Sequence, residues 1–342
     1  GQAHEALNCF ELMQNDGLSA DVVTFICILK ACGSIGAIDN GTQIHDEIVR
    51  RGLLKNDIVL GNALVDMYIK CESIELACKA FQNMLERNIV SWNILIAGFV
   101  REGDEEEALE LFEIMSQGST KPDALTFISV LRACSEMGSL KMGREIHAQL
   151  RRHDEDDVSL NNTLIDMYAK CGCMDDACQV FNNMHERNNV TWNVMVAGYA
   201  QHGLAQEAIT MLLRMRDANL MPDDATFSSI LSACSHEGLK AQGYMIFYMF
   251  IVDHLLFPAV EHYSCIVDML GRAGCLSEGQ EFIQTIPVQP NVMMWMTLLG
   301  TCKYHVNNVI ARSAFGSVIE LKPELRSAYV ILEKILRACS NL

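Results

Sequence analysis

Only six prolines and 22 glycines occur in 342 residues, too few for a collagen-like fibre or a disordered low-complexity chain. Long apolar runs are also missing. The longest, Met245 to Val252, falls far short of the roughly 18 residues a membrane helix needs. Positive charge is the third deficit. Lysine and arginine number 26 against 43 acidic residues, a net charge of −17, which weighs against a nucleic-acid partner because such binders usually carry a basic footprint. Much of the acid is in runs, Asp104-Glu105-Glu106-Glu107 and Asp154-Glu155-Asp156-Asp157, of the kind that form solvated faces, and a groove can differ from the net charge. No stretch alternates convincingly with period two, so essentially no β-strand is expected. Cysteine, by contrast, is plentiful: fourteen residues, scattered in register with the repeats below. Disulfide frameworks belong to small secreted chains, so reduced thiols in an intracellular compartment are expected.

What the chain does contain is itself, repeated. Ser91-Trp92-Asn93-Ile94-Leu95-Ile96-Ala97-Gly98-Phe99 returns 100 residues later as Thr191-Trp192-Asn193-Val194-Met195-Val196-Ala197-Gly198-Tyr199. Asp66-Met67-Tyr68-Ile69-Lys70-Cys71 returns as Asp166-Met167-Tyr168-Ala169-Lys170-Cys171. Thr24-Phe25, Thr126-Phe127 and Thr226-Phe227 each open an apolar stretch that ends at Cys32, Cys134 or Cys234. A fixed period means one supersecondary unit stacked on its copies, with function spread over a surface rather than gathered in a pocket.

The unit reads as a helix pair. Trp92, Leu95, Ile96 and Phe99 recur at i, i+3, i+4, i+7, one face of a helix, with the Ser91 hydroxyl placed to cap it as Thr191 would cap its copy. After Gly103 a second stripe follows, Ala108, Leu111, Phe112, Met115, copied as Ala208, Met211, Leu212, Met215 and as Ala6, Cys9, Phe10, Met13. Lys121-Pro122-Asp123 and Met221-Pro222-Asp223 close the unit, since proline does not continue a helix. Shorter relatives use Gly61, Leu64, Val65, Tyr68 and then Ala77, Ala80, Phe81, Met84. These Met, Trp and Phe stripes are read as core packing, not a cofactor box, and the fold class as all-α.

The wording of the repeats resembles the plant organellar pentatricopeptide repeat (PPR) proteins of the PLS class, in which P, L and S repeats alternate. "SWNILIAGFVREGDEEEALELFEIMSQGSTKPD" resembles a P repeat, "LTFISVLRACSEMGSLKMGREIHAQL" an L repeat and "LNNTLIDMYAKCGCMDDACQVFNNMHERN" an S repeat. "VEHYSCIVDMLGRAG" resembles the last S repeat of such arrays; "VMMWMTLLGTCKYH" and "LKPELRSAYVIL" resemble the E-type extension of RNA-editing factors. The implied division is a partial P repeat 1–21, then L 22–57, S 58–88, P 89–123, L 124–157, S 158–188, P 189–223, L 224–259, terminal S 260–291 and a truncated extension 292–342. The implied fold is a right-handed superhelical α-solenoid of stacked helix-turn-helix repeats, first helices lining a concave surface. Gly1 falls partway through a repeat, so any targeting peptide is expected upstream.

The resemblance further implies that each P or S repeat reads one base of single-stranded RNA through its fifth and last residues. These pairs are Asn62 with Asn88, Asn93 with Asp123, Asn162 with Asn188, Asn193 with Asp223, and Ser264 with Asn291. An Asn carboxamide offers a donor and an acceptor to a base edge. The bland alternative is a polar residue in a first helical turn. By the family's pairing rule Asn-Asp favours U, Asn-Asn a pyrimidine and Ser-Asn A, giving nYUnYUnAnnnC with the edited cytidine last. The second residue of a repeat would press on neighbouring bases, as Val59, Val90 and Val190 could; alternatively each packs against the next repeat. Ser159 departs from the apolar type at that place.

No enzyme and no cofactor is expected. A cytidine deaminase needs H-x-E followed by P-C-x-x-C; His45-Asp46-Glu47 supplies the first half by chance, and P-C-x-x-C is absent. Cys171, Cys173 and Cys178 resemble a zinc cluster, but Cys71 and Cys78 match Cys171 and Cys178, so packing is the preferred reading. The expected function is site specification for organellar C-to-U RNA editing, in mitochondrion or chloroplast. The implied partners are single-stranded organellar RNA, a DYW-type cytidine deaminase acting in trans and multiple organellar RNA editing factor proteins, with no membrane. A protein-interaction solenoid and an RNA stabilisation or splicing factor stay as alternatives.

Overall fold

A computed structural model describes residues 1–55, 57–150, 157–254 and 258–340. The described residues form twenty α-helices, one short 3-10 turn at Leu53–Lys55 and no strand. They divide into two compact bodies, Gly1–Cys173 and Met174–Leu342.

The first body holds α1 (Gln2–Asn15), α2 (Val22–Ile35), α3 (Ile38–Arg50), α4 (Ile58–Lys70), α5 (Ile74–Asn83), α6 (Ile89–Glu102), α7 (Glu105–Gln117), α8 (Ala124–Glu136), α9 (Leu140–Leu150) and α10 (Val158–Lys170). The second holds α11 (Met174–Asn183), α12 (Asn189–Gln201), α13 (Ala205–Asp217), α14 (Asp224–Glu237), α15 (Lys240–His254), α16 (Val260–Arg272), α17 (Leu276–Thr285), α18 (Val292–Cys302), α19 (Asn308–Leu321) and α20 (Arg326–Ser340). In the first body α2, α4, α6, α8 and α10 pack in succession, each also touching the second helix before it, and α2, α4, α6 and α8 touch their hairpin partners α3, α5, α7 and α9. Helices α12, α14, α16, α18 and α20 make the same ladder in the second body.

Eight of the ladder helices start from a side-chain cap. The carboxylate or carboxamide oxygen of Asp21, Asp57, Asn88, Asp123, Asp157, Asn188, Asp223 and Asn291 accepts a backbone N–H of the first turn at 2.8–3.0 Å. At α16, Ala259 has no such oxygen, and its N–H donates instead to His262 Nδ1 at 3.0 Å. This corrects the expected caps. Ser91 and Thr191 do not precede their helices; they occupy the third helical position, because Asn88 and Asn188 take their N–H groups and start the helices at Ile89 and Asn189.

The apolar stripes meet between layers. Leu64, Val65, Tyr68, Ala77, Ala80, Phe81 and Met84 are buried, as are Ala208, Met211, Leu212 and Met215. Phe81 meets Trp92 edge-on at 4.9 Å, and Phe181 meets Trp192 the same way at 4.9 Å. Cys9 departs from its stripe: it is exposed on α1, on a side away from the α2 contact made by the buried Leu7 and Phe10. At Gly41 a β-carbon would come within 2.5 Å of Met67 Sδ, so glycine permits the close approach of α3 to α4. Glu105, Glu106 and Glu107 occupy the first turn of α7, where the helix dipole favours negative charge, so this acidic run is structural. Of the second acidic run, residues 154–156 lie outside the described residues, while Asp157 caps α10.

Candidate functional site

The residues singled out as readers lie in the first turns of the first helices, beside the caps. Asn93 is the most completely built. Its Nδ2 donates to Asp123 Oδ1 at 3.0 Å, and its Oδ1 accepts from the Thr126 hydroxyl at 2.6 Å. An ionised carboxylate only accepts, so the amide nitrogen must face Asp123 and the amide oxygen must face Thr126. Among the described residues, one N–H and one lone pair of Asn93 have no partner. Burial raises the Asp123 carboxyl pKa, but hydrogen bonds from the Thr126 N–H and the Asn93 amide, with the Thr126 hydroxyl close by, bring it below the ordinary carboxylate value.

Asn62 repeats the arrangement with a neutral partner. Its Nδ2 approaches Asn88 Oδ1 at 3.4 Å and its Oδ1 accepts from the Ser91 hydroxyl at 2.6 Å. Asn62 is only 7% exposed, so most of its amide already faces protein. In the second body Asn193 Nδ2 donates to Asp223 Oδ2 at 2.7 Å, while Asn193 Oδ1 is shielded without a hydrogen-bond partner among the described residues. Asn162, equally buried, is on α10 of the first body and Asn188 caps α12 of the second. Ser264 is arranged differently: its hydroxyl donates back to the Val260 carbonyl at 2.9 Å, and Asn291 caps α18.

The second residues stand out from the surface. Val59, Val90 and Val190 are 62%, 48% and 52% exposed, so burial against a neighbouring helix does not account for them. The same register in the first body holds Val23 and Leu125, and in the second body Met293, all exposed. Sequence reasoning passed over these three; their place two residues after a capping Asp or Asn was the available signal.

The two constellations that mimic catalytic or metal sites are occupied structurally. His45 Nδ1 is 2.8 Å from the Tyr68 hydroxyl, and Glu47 pairs with Arg50 and Arg51, both at 2.6 Å. Cys171 Sγ points at the Cys134 carbonyl and Met167 Sδ, as Cys71 does at the Cys32 carbonyl and Met67 Sδ. Burial pushes the Cys32 thiol up to about 11 and the Cys134 thiol up to about 12. In the second body Cys178 Sγ is 2.9 Å from the Tyr199 hydroxyl. Among the described residues no cluster of three His, Cys, Asp or Glu could hold a metal, and no helix is long and apolar enough to cross a membrane.

Comparison with known proteins places this geometry. A PPR repeat family model matches residues 87–136 and 187–236, and a PPR repeat model matches 62–89 and 162–189, each pair 100 residues apart. Pentatricopeptide repeat-containing protein At1g06140, mitochondrial, from Arabidopsis thaliana is 37% identical over 97% of this chain and 60% of its own length. At1g08070, chloroplastic, from the same plant is 36% identical over 94% of this chain and 44% of its own length. The chain thus spans about half the length of the curated relatives it matches. Among solved structures, the pentatricopeptide repeat protein PPR10 in complex with an 18-nt psaJ RNA element superposes with a TM-score of 0.74. It is 20% identical and covers 99% of this chain and 56% of that one, a likeness of fold. Repeats, helix ladder and relatives agree: the chain belongs to the pentatricopeptide repeat family of plant proteins.

Proposed function

We propose that the chain binds single-stranded organellar RNA sequence-specifically and marks a cytidine for C-to-U editing, the deaminase being supplied in trans. The observation that carries this is the pinned Asn93 amide, held between Asp123 and Thr126 with one donor and one acceptor to spare. At its N3 atom uracil is a donor and cytosine an acceptor. An amide that cannot turn over presents its oxygen or its nitrogen there, and so tells the two apart. A charged partner such as Asp123 or Asp223 holds the amide more firmly than the neutral Asn88 does. That ordering suits U at the Asn-Asp pairs and either pyrimidine at Asn-Asn. The exposed valines offer apolar surface to neighbouring bases.

In this reading residues 22–291 are alternating L, S and P repeats, and 292–342 begin an E-type extension. A DYW-type deaminase and multiple organellar RNA editing factor proteins are the partners. The mitochondrial and chloroplastic names of the relatives support an organelle. The RNA bound to PPR10 supports the choice of ligand.

The test is a low-salt titration comparing RNA carrying YUnYUnA with the same RNA in which each U is G. Wild type should prefer the U target, and the Asn93→Thr plus Asn193→Thr double variant should prefer G. Equal binding of both RNAs by wild type overturns the proposal. A protein-interaction role is the second reading. It is favoured by Met245, Tyr248 and Ile251 on α15, exposed at 48%, 69% and 37%, where the related α3 carries Gln43, Asp46 and Val49.

A further inference from the structure

Base reading is assigned above to two residues of each pair, yet a third side chain touches both. In the first body the Ser91 hydroxyl accepts the Asn88 backbone N–H at 3.2 Å, lies 3.1 Å from Asn88 Oδ1 and donates to Asn62 Oδ1 at 2.6 Å. The Thr126 hydroxyl accepts the Asp123 N–H at 3.2 Å, lies 2.9 Å from Asp123 Oδ1 and donates to Asn93 Oδ1 at 2.6 Å. Both hydroxyl residues are fully buried. From the reading proposed above, we infer that this hydroxyl, on the third residue of the following helix, is a positioning residue for the reader. It holds the oxygen end of the carboxamide while the last residue holds the nitrogen end, and so decides which edge meets the base.

Sequence register separates this role from ordinary capping. After Asn62, Asn93, Asn162 and Asn193, the third residue of the next helix is Ser91, Thr126, Thr191 and Thr226. After Ile26 and Ile128, which hold the same fifth place, it is Leu60 and Leu160. After Ser228 and Ser264 it is His262 and Met294. Helices α4 and α10 nevertheless start from sound caps, Asp57 and Asp157 accepting the Leu60 and Leu160 N–H groups. Capping therefore does not require the hydroxyl. An asparagine in the preceding reader position is what accompanies it.

The arrangement also ranks the sites. At Asn93 the Asp123 carboxylate fixes the nitrogen end, so the hydroxyl shares the task. At Asn62 the nitrogen end meets a neutral oxygen at 3.4 Å, so Ser91 carries most of it. At Asn193 the Thr226 hydroxyl turns to Asp223 Oδ1 at 2.8 Å, and the reader's oxygen has no partner among the described residues.

The experiment uses the full chain and RNAs carrying each of the four bases at the nucleotide facing Asn62. A second set varies the nucleotide facing Asn93. Ser91→Ala should lower the pyrimidine-over-purine preference at the first nucleotide by roughly fivefold, the equilibrium value of one net hydrogen bond. Preference at the second nucleotide should stay as in wild type, and Ser91→Thr should restore the first. Urea unfolding of each variant shows that it is folded, and Ser91→Val replaces Ser91→Ala if the latter does not fold. A uniform weakening for all four bases, or full discrimination retained by Ser91→Ala, overturns the positioning role and leaves base reading standing. If wild type shows no preference at either nucleotide, base reading fails and the positioning role falls with it.

Discussion

Asp123 performs two tasks with one carboxylate, and two substitutions separate them. Oδ1 accepts the Thr126 N–H at 3.0 Å to start α8, and accepts the Asn93 amide at 3.0 Å to fix its orientation. Asp123→Ala removes both. Losing the cap costs about 1 kcal/mol, and leaving the half-buried Asn93 nitrogen without its acceptor costs about another 1 kcal/mol. A loss near 2 kcal/mol is expected, seen as a lower urea midpoint at unchanged slope. Asp123→Asn should behave otherwise, since Asn caps as well as Asp. Its oxygen stays on the Thr126 N–H, so stability should fall by less than about 0.5 kcal/mol. The charge on the Asn93 contact is gone, however, and the pair becomes chemically the Asn62–Asn88 pair. Binding to RNA with U or C at that nucleotide should show U preference relaxing to a pyrimidine preference. Equal destabilisation by the two substitutions, or an undiminished preference for U over C in Asp123→Asn, refutes the two-task account.

Three further outcomes follow from other parts of the structure. Burial, partly offset by Asp46, holds the His45 imidazole below its ordinary pKa, so the unfolded chain binds the extra proton first; stability should decline as pH falls through about 6.5. His45→Phe, which copies Phe247 at the matching place on α15, should reduce that decline in pH-dependent melting curves. Glu72 adopts φ +56° in the turn where its copy Gly172 adopts φ +78°, so Glu72→Gly should stabilise by about 1 kcal/mol, measured in urea. Val59→Asp and Val90→Asp sit at exposed positions and should shift stability by less than about 0.5 kcal/mol while weakening RNA binding, checked by melting and titration in parallel.

The helix ladder was legible because its units are written more than once. Tyr68, Phe81 and Met84 recur with their copies, and repetition turns an ambiguous apolar stripe into a helix face. The caps were legible only to within three residues. Ser91 before Trp92 reads as a cap by local rule, but Asn88 offers the same chemistry one turn earlier and wins, which puts the serine inside the helix. Pairings across repeats were less visible, since periodicity reports which residues are alike rather than which ones touch. His45 and Tyr68 belong to different repeats and their 2.8 Å contact needs the stacking itself. The same holds for the Ser91–Asn62 and Thr126–Asn93 bonds.

The charge that weighed most heavily against RNA has a structural place in the first body. The run Glu105 to Glu107 fills the first turn of a second helix, and Glu47 is held on another by Arg50 and Arg51. On the first helices Asp66 is paired with Lys70 at 2.7 Å, and Lys170 bridges Asp166 and Glu136. The Asp123 carboxylate accepts hydrogen bonds from the Asn93 amide and the Thr126 N–H, which spread part of its charge into the protein. Part of the net charge of −17 therefore lies in a helix first turn and in ion pairs along the helices. Its remaining consequence is long-range repulsion of a phosphate chain, which salt screens. Phosphate contacts weaken with salt at the same time, with a slope of about −0.7 per neutralised phosphate on a single strand. The two effects oppose each other, so the observed slope should be shallower than the number of phosphates touched would give.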